Sequence, residues 1–220
     1  VNAGRHPLPQ REAVAQWLGS LGIHNGMQIV VYDRNKSAYC GRLWWMLKWL
    51  GHEAVAVLDG GMQAWKDAGG ATESGPFTPP APAVFELKAP LRQLVLTSEV
   101  SAALGRPEQT IIDARAGARF RGEMEPLDPV AGHIPGALNR TYTDNFDADG
   151  RFKSPELLRT EWTQVLAGRS PNSVVHHCGS GVTAVPNLMA MEMAGFGITA
   201  LYAGSWSEWC NTPGLPCAKG

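Results

Sequence analysis

Two stretches of this chain follow one plan, and that duplication limits the possible fold more than any other feature. In the first, Gln28-Ile29-Val30-Val31-Tyr32-Asp33 reads as a buried strand. A tryptophan-rich helical run over 42–50 follows, then Gly51-His52 and a second strand over 54–58. That strand enters Asp59-Gly60-Gly61-Met62-Gln63-Ala64-Trp65. In the second, Ser173-Val174-Val175-His176-His177 ends at Cys178, a helical run over 182–194 follows, and Gly195-Phe196-Gly197 turns it. A strand over 198–202 then enters Ala203-Gly204-Ser205-Trp206-Ser207-Glu208-Trp209. From Asp33 to Gly60 is 27 positions and from Cys178 to Gly204 is 26, so spacing matches as well as glycine and tryptophan punctuation. Strands alternating with helices demand parallel sheets with helices on both faces, which is the α/β class.

Between the halves, Pro76, Pro79, Pro80, Pro82 and Pro90 mark an extended linker. The expected division is a non-catalytic domain over 1–71, a proline-rich linker over 72–95 and a catalytic domain over 96–220. The second half also carries a helical segment near 97–104, the strand Thr110-Ile111-Ile112-Asp113, and Gly132-His133-Ile134-Pro135-Gly136-Ala137. None of these has a counterpart in the first half. Counted back from Cys178 and from Asp33, the first domain is short by about 50 residues upstream of Val1. The N-terminal domain is therefore expected to be incomplete here: a fragment, a cleaved chain or a divergent minimal domain.

The chain has 220 residues, enough for a proper core, and a net charge of −1 with no basic run. Nothing in that balance suits nucleic acid or a membrane surface, and no apolar stretch reaches transmembrane length. Four cysteines without paired metal-type spacing imply no metal, and Cys210 and Cys217 read as free thiols of a cytoplasmic protein. The chain opens on Val1, so a processed or truncated N-terminus is expected, and no signal peptide is visible.

The chemistry concentrates at Cys178-Gly179-Ser180-Gly181-Val182-Thr183. A strand delivers the cysteine into a glycine-bearing loop just before a helix. Backbone N–H groups and the positive end of the helix then favour its thiolate, making Cys178 a nucleophile. A strand-end core cysteine would need no loop with two glycines in three residues. In the first half Asp33 stands at the corresponding place and cannot do thiol chemistry. Cys40, a turn further on, reads as a small packing residue.

Two enzyme classes use such a cradle. Cysteine phosphatases need His-Cys, Gly three residues on and Arg three beyond that; His177, Cys178 and Gly181 fit, but Ala184 replaces the arginine that grips phosphate. The other class is the rhodanese family of sulfurtransferases, and the chain resembles a tandem rhodanese from Val1 to about Trp209. Asp113-Ala114-Arg115 with Arg119-Phe120-Arg121-Gly122 resembles one family signature. Gly132-His133-Ile134-Pro135-Gly136-Ala137 resembles a second, and Gly204-Ser205-Trp206-Ser207-Glu208-Trp209 a third.

That resemblance implies two rhodanese-like domains and a ping-pong reaction. Cys178 takes a sulfane sulfur from a small-molecule donor as a persulfide and passes it to cyanide or a thiol such as thioredoxin, with no metal or organic cofactor. The amides of Gly179, Ser180, Gly181, Val182 and Thr183 would hold the persulfide, and Arg119 the donor carboxylate. The loop resembles the mercaptopyruvate branch; the thiosulfate branch carries basic residues where Gly179 and Ser180 stand. The family's second donor-binding arginine would follow Glu125-Pro126, where this chain has Leu127, so Arg121 is a substitute to consider. In that branch Ser180 works with a His and an Asp from the N-terminal domain, expected in the absent segment. Thiosulfate as donor, or a non-catalytic binding module, are the alternatives.

Several residues carry blander expectations. Arg115 should hold Asp113, and His133 should be hydrogen-bonded and structural. His176 and His177 lie on a buried strand, at least one of them as a satisfied core residue. Asn145 to Glu156 fits a calcium-loop template, but Ser154-Pro155-Glu156 reads better as the start of a helix. Trp44, Trp45 and Trp49 fit one helix packed on a sheet, and Pro186 fits the first turn of the helix after Cys178.

Overall fold

The computed structural model describes residues 4–78 and 80–220. Val1, where the first domain is expected to open, and Pro79 of the expected linker lie outside the described residues. The chain forms two compact units, one of residues 8–92 and the other of 93–220 joined by residues 4–7.

In the first unit, α1 is Arg11–Ser20, β1 Ile29–Val31, α2 Cys40–Trp49, β2 Val55–Val57 and α3 Gly61–Asp67. Strands β1 and β2 pair in parallel, with Ile29 opposite Val55 and Val31 opposite Val57. Helix α2 packs on both strands and buries Trp44, Trp45 and Leu47, while Trp45 stacks on Trp49 at 5.6 Å. The described residues of the proline-rich segment up to Arg92 carry neither helix nor strand, but they are pinned to their own unit. Ala83 N–H donates to Gly19 O at 2.8 Å, and Lys88 N–H donates to Leu50 O at 3.0 Å.

The second unit comprises β3 Gln93–Leu94, α4 Thr97–Ala102, β4 Thr110–Asp113, α5 Gly117–Phe120, β5 Leu138–Asn139, α6 Pro155–Leu166, β6 Val174–His177, α7 Val185–Met193, β7 Ala200–Leu201 and α8 Ser205–Trp209. Its five strands are all parallel in the order β3-β7-β6-β4-β5. Alternation along the strands sorts the core into two layers. Ile111, Val175 and Ala200 pack with Val100 of α4 and with Trp206 and Trp209 of α8. The intervening His176 turns to the opposite face and meets Trp162 of α6 edge-on at 5.7 Å. Helices thus cover both faces, as the alternating pattern requires.

Helix α6 opens as the sequence implies: Pro155 takes the first position, Ser154 Oγ accepts from Leu157 N–H at 3.3 Å, and Glu156 lies in the first turn. The calcium-loop template is a turn, with Gly150 N–H donating to Asp147 O at 3.1 Å. Helix α7 starts at Val185, three residues later than the 182 start expected from sequence. Gly181 has φ +75°, and 182–184 continue the loop before the helix begins. Pro186 still falls in the first turn, where its missing N–H costs little.

His176 is fully buried, and among the described residues neither ring nitrogen has a hydrogen-bond partner. Burial, then the neighbouring His177, pushes its pKa from 6.5 down to about 3. Between those values the unfolded chain binds the proton and the folded chain refuses it. Stability therefore falls as pH drops from about 6.5 towards 3, at about 1.4 kcal/mol per pH unit for this group. Urea titrations at pH 6 and pH 4 should show a smaller loss in His176→Phe than in the unsubstituted chain.

Candidate active site

Cys178 follows β6 directly, is 1 % exposed, and begins the loop that runs to α7. Carbonyls at the start of that loop are tied backwards to α8: Trp206 N–H donates to Cys178 O at 3.0 Å and Ser207 N–H to Gly179 O at 2.9 Å. Cys178 N–H donates to Ser205 Oγ at 3.2 Å, and Ser205 Oγ donates to Tyr202 O at 3.0 Å. Ser205 pays for this with φ +57°, a left-handed conformation unusual for a residue with a side chain. Among the described residues no backbone carbonyl accepts from the N–H groups of Gly179, Ser180, Val182 or Thr183. A loop with tethered carbonyls and uncommitted amides is built to receive an anion. Gly181 is fixed sterically as well as by its φ, because a Cβ there would stand 2.2 Å from Ala203 O.

An alternating row of carboxylates and guanidiniums leads from the sheet to this loop. Asp113, at the end of β4, is fully buried and accepts from Arg115 Nη2 at 2.6 Å and from Arg115 Nε at 3.0 Å. Burial pushes the Asp113 carboxyl up, but the neighbouring His177, followed by the charge and hydrogen bonds of Arg115, holds it below the usual range. Arg115 also donates to Gly132 O at 2.7 Å, reaches Glu125 at 3.3 Å and lies over the Trp206 ring. Glu125 in turn accepts from Arg119 Nη2 at 2.6 Å and from the Leu127 N–H at 3.0 Å. Burial works against its ionisation, and the bonds from Arg119 and the backbone outweigh it. Arg119 lies 3.6 Å from Asp128, and Asp128 pairs with Arg5.

The last two guanidiniums of this row arrive at Gly179. A Cβ on Gly179 would stand 3.1 Å from Arg5 Nη2 and 3.4 Å from Arg119 Nη1. The adjacent His6 shares a 2.8 Å hydrogen bond, through Nδ1, with Ser180 Oγ. The histidine partner of Ser180, expected to lie outside this chain, is thus matched within it. Arg121 is half exposed and bound to Glu123 at 2.6 Å, so it is Arg5 that joins Arg119 over the loop. Neither Arg5 nor His6 belongs to any motif read from the sequence. The only local signal is the turn-forming Gly4 and helix-preceding Pro7 that bracket them.

His177 and His133, near the site, are structural. His177 is buried, and its Nδ1 donates to Cys178 O at 3.0 Å, fixing the carbonyl of the cysteine. Burial keeps its pKa low despite Asp113 at 3.6 Å. His133 Nδ1 donates to Phe120 O at 2.8 Å, and its ring stacks on Phe120.

The corresponding loop of the first unit is already full. Asp33 accepts from the N–H groups of Asn35 at 2.8 Å, Ser37 at 3.1 Å, and Tyr39 and Cys40 at 2.9 Å each. Burial raises its pKa, but the hydrogen bonds from Cys40, Asn35 and Tyr39 win and it stays low. Lys36 and Ser37 adopt positive φ of 54° and 57° to bring the amides round. Burial and the Asp33 charge push the Cys40 thiol up to about 12, so it is an inert packing group.

With this geometry in hand, comparison with known proteins assigns the class: the chain matches the rhodanese-like domain family over residues 1–68 and 96–212, and it belongs to that family. It is 46 % identical over 218 residues to a Pseudomonas aeruginosa protein named as a probable 3-mercaptopyruvate sulfurtransferase, covering 99 % of this chain and 76 % of that one. It is 36 % identical over 207 residues to the thiosulfate sulfurtransferase of Mus musculus, covering 92 % of this chain and 69 % of that one. Among solved structures, the 3-mercaptopyruvate sulfurtransferase from Leishmania major superimposes with a TM-score of 0.83 at 35 % identity. That match covers 98 % of this chain and 60 % of the Leishmania chain, so this chain spans less than two thirds of it.

The two loop glycines should respond differently to alanine. Gly181→Ala meets a carbonyl and an unfavourable φ, and should lose about 1–3 kcal/mol in urea denaturation. Gly179→Ala meets only the ends of flexible arginine side chains and should stay within about 0.5 kcal/mol of the parent.

Proposed function

We propose that this chain is a sulfurtransferase that moves a sulfane sulfur from 3-mercaptopyruvate to a thiol or cyanide through a persulfide on Cys178. The observation that carries the reading is Cys178 at the base of a loop of uncommitted amides, with two arginines above the next residue. The Cys178 thiolate attacks the sulfur of the donor, and an S–S bond forms as the C–S bond breaks. The electron pair of that bond leaves with carbon as the enolate of pyruvate, which takes up a proton. Cys178 is left as Cys–S–SH, and the acceptor removes the outer sulfur, restoring the thiolate. The amides of 179–183 stabilise the anionic persulfide, Arg119 holds the donor carboxylate, and Ser180, tied to His6, is the neutral group available to the donor carbonyl.

Thiosulfate is the second reading, and two guanidiniums near one spot are what favour it. Each of them, however, is already paired with Asp128 or Glu125. The row from Asp113 to Arg5 holds as many carboxylates as guanidiniums, so its net charge is near zero. A monoanionic keto acid that uses hydrogen-bond geometry suits it better than a dianion that needs bulk positive charge. All four cysteines are free, and among the described residues no helix is long and apolar enough to cross a membrane. Free thiols fit a reducing cytoplasm, where thioredoxin or a small thiol would be the acceptor.

Intact mass after incubation with 3-mercaptopyruvate should rise by one sulfur atom, and Cys178→Ala should show no gain. A chain that gains no sulfur from either donor would instead be a binding module. Arg119→Gln should raise KM for mercaptopyruvate about tenfold or more with a smaller change in kcat, the expected effect of a lost charge-assisted contact. A kcat/KM for thiosulfate above that for mercaptopyruvate would reverse the choice of donor.

A further inference from the structure

The sulfurtransferase reading leaves Arg5 without a role, and its placement is not that of a surface ion pair. Residues 4–7 pack as a strap on the second unit. Arg5 N–H donates to Ser207 Oγ at 3.0 Å, and His6 is bonded to Ser180. Gly4 has φ +70°, and a Cβ there would stand 2.8 Å from Gly204 O, so the strap lies close against the turn before α8 and needs glycine there. This fixes the Arg5 backbone beside the loop that follows Cys178. The side chain then binds buried Asp128 through Nη1 and brings Nη2 to within 3.1 Å of a Cβ position on Gly179. Arg119 Nη1 and Nη2 lie 3.4 Å and 3.6 Å from the same position.

Two guanidiniums converging on one point repel unless something negative lies between or beneath them. Asp128 is beneath, shared by both. The point itself is where the side chain of Gly179 would be, so glycine leaves it open for a small anionic group one residue from the nucleophile. Leu127 is 61 % exposed at the place after Glu125-Pro126 where the family resemblance calls for an arginine. We propose that Arg5 is a donor-binding residue that supplies, with Arg119, the second guanidinium holding the carboxylate of the sulfur donor above Gly179. Position 5 thereby does from the strap what Leu127 cannot. This rests on the sulfurtransferase reading for the identity of the donor, but not for the existence of the carboxylate site.

Alkylation of Cys178 separates the two questions, because it needs no sulfur transfer. Iodoacetate and iodoacetamide react alike, a C–S bond forming as iodide leaves, and they differ in the carboxylate that only the first carries. Rates at Cys178 would be followed by peptide mass in the full chain, in Arg5→Ala, in Arg5→Gln and in Arg119→Gln. Both Arg5 variants should slow iodoacetate about tenfold, as Arg119→Gln should, and leave iodoacetamide within about twofold. Arg5→Lys, which keeps the charge but not the fork, should fall between. An unchanged iodoacetate rate in both Arg5 variants overturns the proposal. Equal slowing of both reagents also overturns it, since Arg5 would then only hold the strap. If the unsubstituted chain accepts no sulfur from mercaptopyruvate, the functional reading fails, and the iodoacetate-to-iodoacetamide ratio still decides the role of Arg5.

Discussion

The active loop depends on the buried pair between Asp113 and Arg115. Both side chains are almost completely sealed from solvent, and their shortest contact is 2.6 Å. A buried pair of this kind contributes little net stability by itself, but removing one partner typically costs about 3–5 kcal/mol. Its value here is positional. Arg115 uses its remaining donors on Gly132 O and Glu125, and its face lies over Trp206. The strand end, the glycine turn before His133 and the helix that ties back the loop carbonyls therefore meet at one side chain. From Glu125 the alternation continues to Arg119, Asp128 and Arg5. Each charge is fixed by its neighbours, so the outermost guanidiniums reach Gly179 already oriented. Preorganisation of this kind is what makes a binding group useful in catalysis, since it spares the ordering cost when substrate arrives.

The two repeated loops show how one backbone plan gives different chemistry. Around Asp33 the amides converge on a carboxylate supplied by the chain itself, and the thiol of Cys40 beside it is suppressed. Around Cys178 the N–H groups of Gly179, Ser180, Val182 and Thr183 are left without a backbone acceptor among the described residues, and the side chain at the centre is a thiol. Replacing a carboxylate with a sulfur nucleophile opens the same anion cradle to a ligand. The first loop carries its anion within the chain, and in the proposed reaction the second would receive its anion from the donor.

Most of this was legible in the sequence, and what was hidden has a common cause. Strand β4 spans Thr110–Asp113 as its apolar run implies, and β6 covers all but the first residue of the run before Cys178. The place of Cys178 and of the loop 179–183 between a strand and a helix is legible because strand, cysteine and glycine follow one another locally, whereas Arg119 is marked only by the resemblance of its motif. Helix α7 began late because Gly181 extends the loop, a backbone property that hydrophobic periodicity does not report. Helix α1 escaped notice because Trp17 and Leu21 are exposed beside the buried Val14 and Leu18, which blurs its apolar stripe. Arg5, His6 and Asp128 were invisible for a different reason. The Arg5–Asp128 and His6–Ser180 pairs span 123 and 174 positions along the chain, and no spacing rule connects them.

The account stands on the claim that the loop after Cys178 is an anion cradle waiting for a persulfide. A crystal structure of the chain after reaction with 3-mercaptopyruvate, without reductant, tests this most directly. The account predicts an outer sulfur on Cys178 within hydrogen-bonding distance of several N–H groups from Gly179 to Thr183, below Arg5 and Arg119. A sulfur on Cys40, Cys210 or Cys217, or a Cys178 persulfide turned away from those amides, would contradict it.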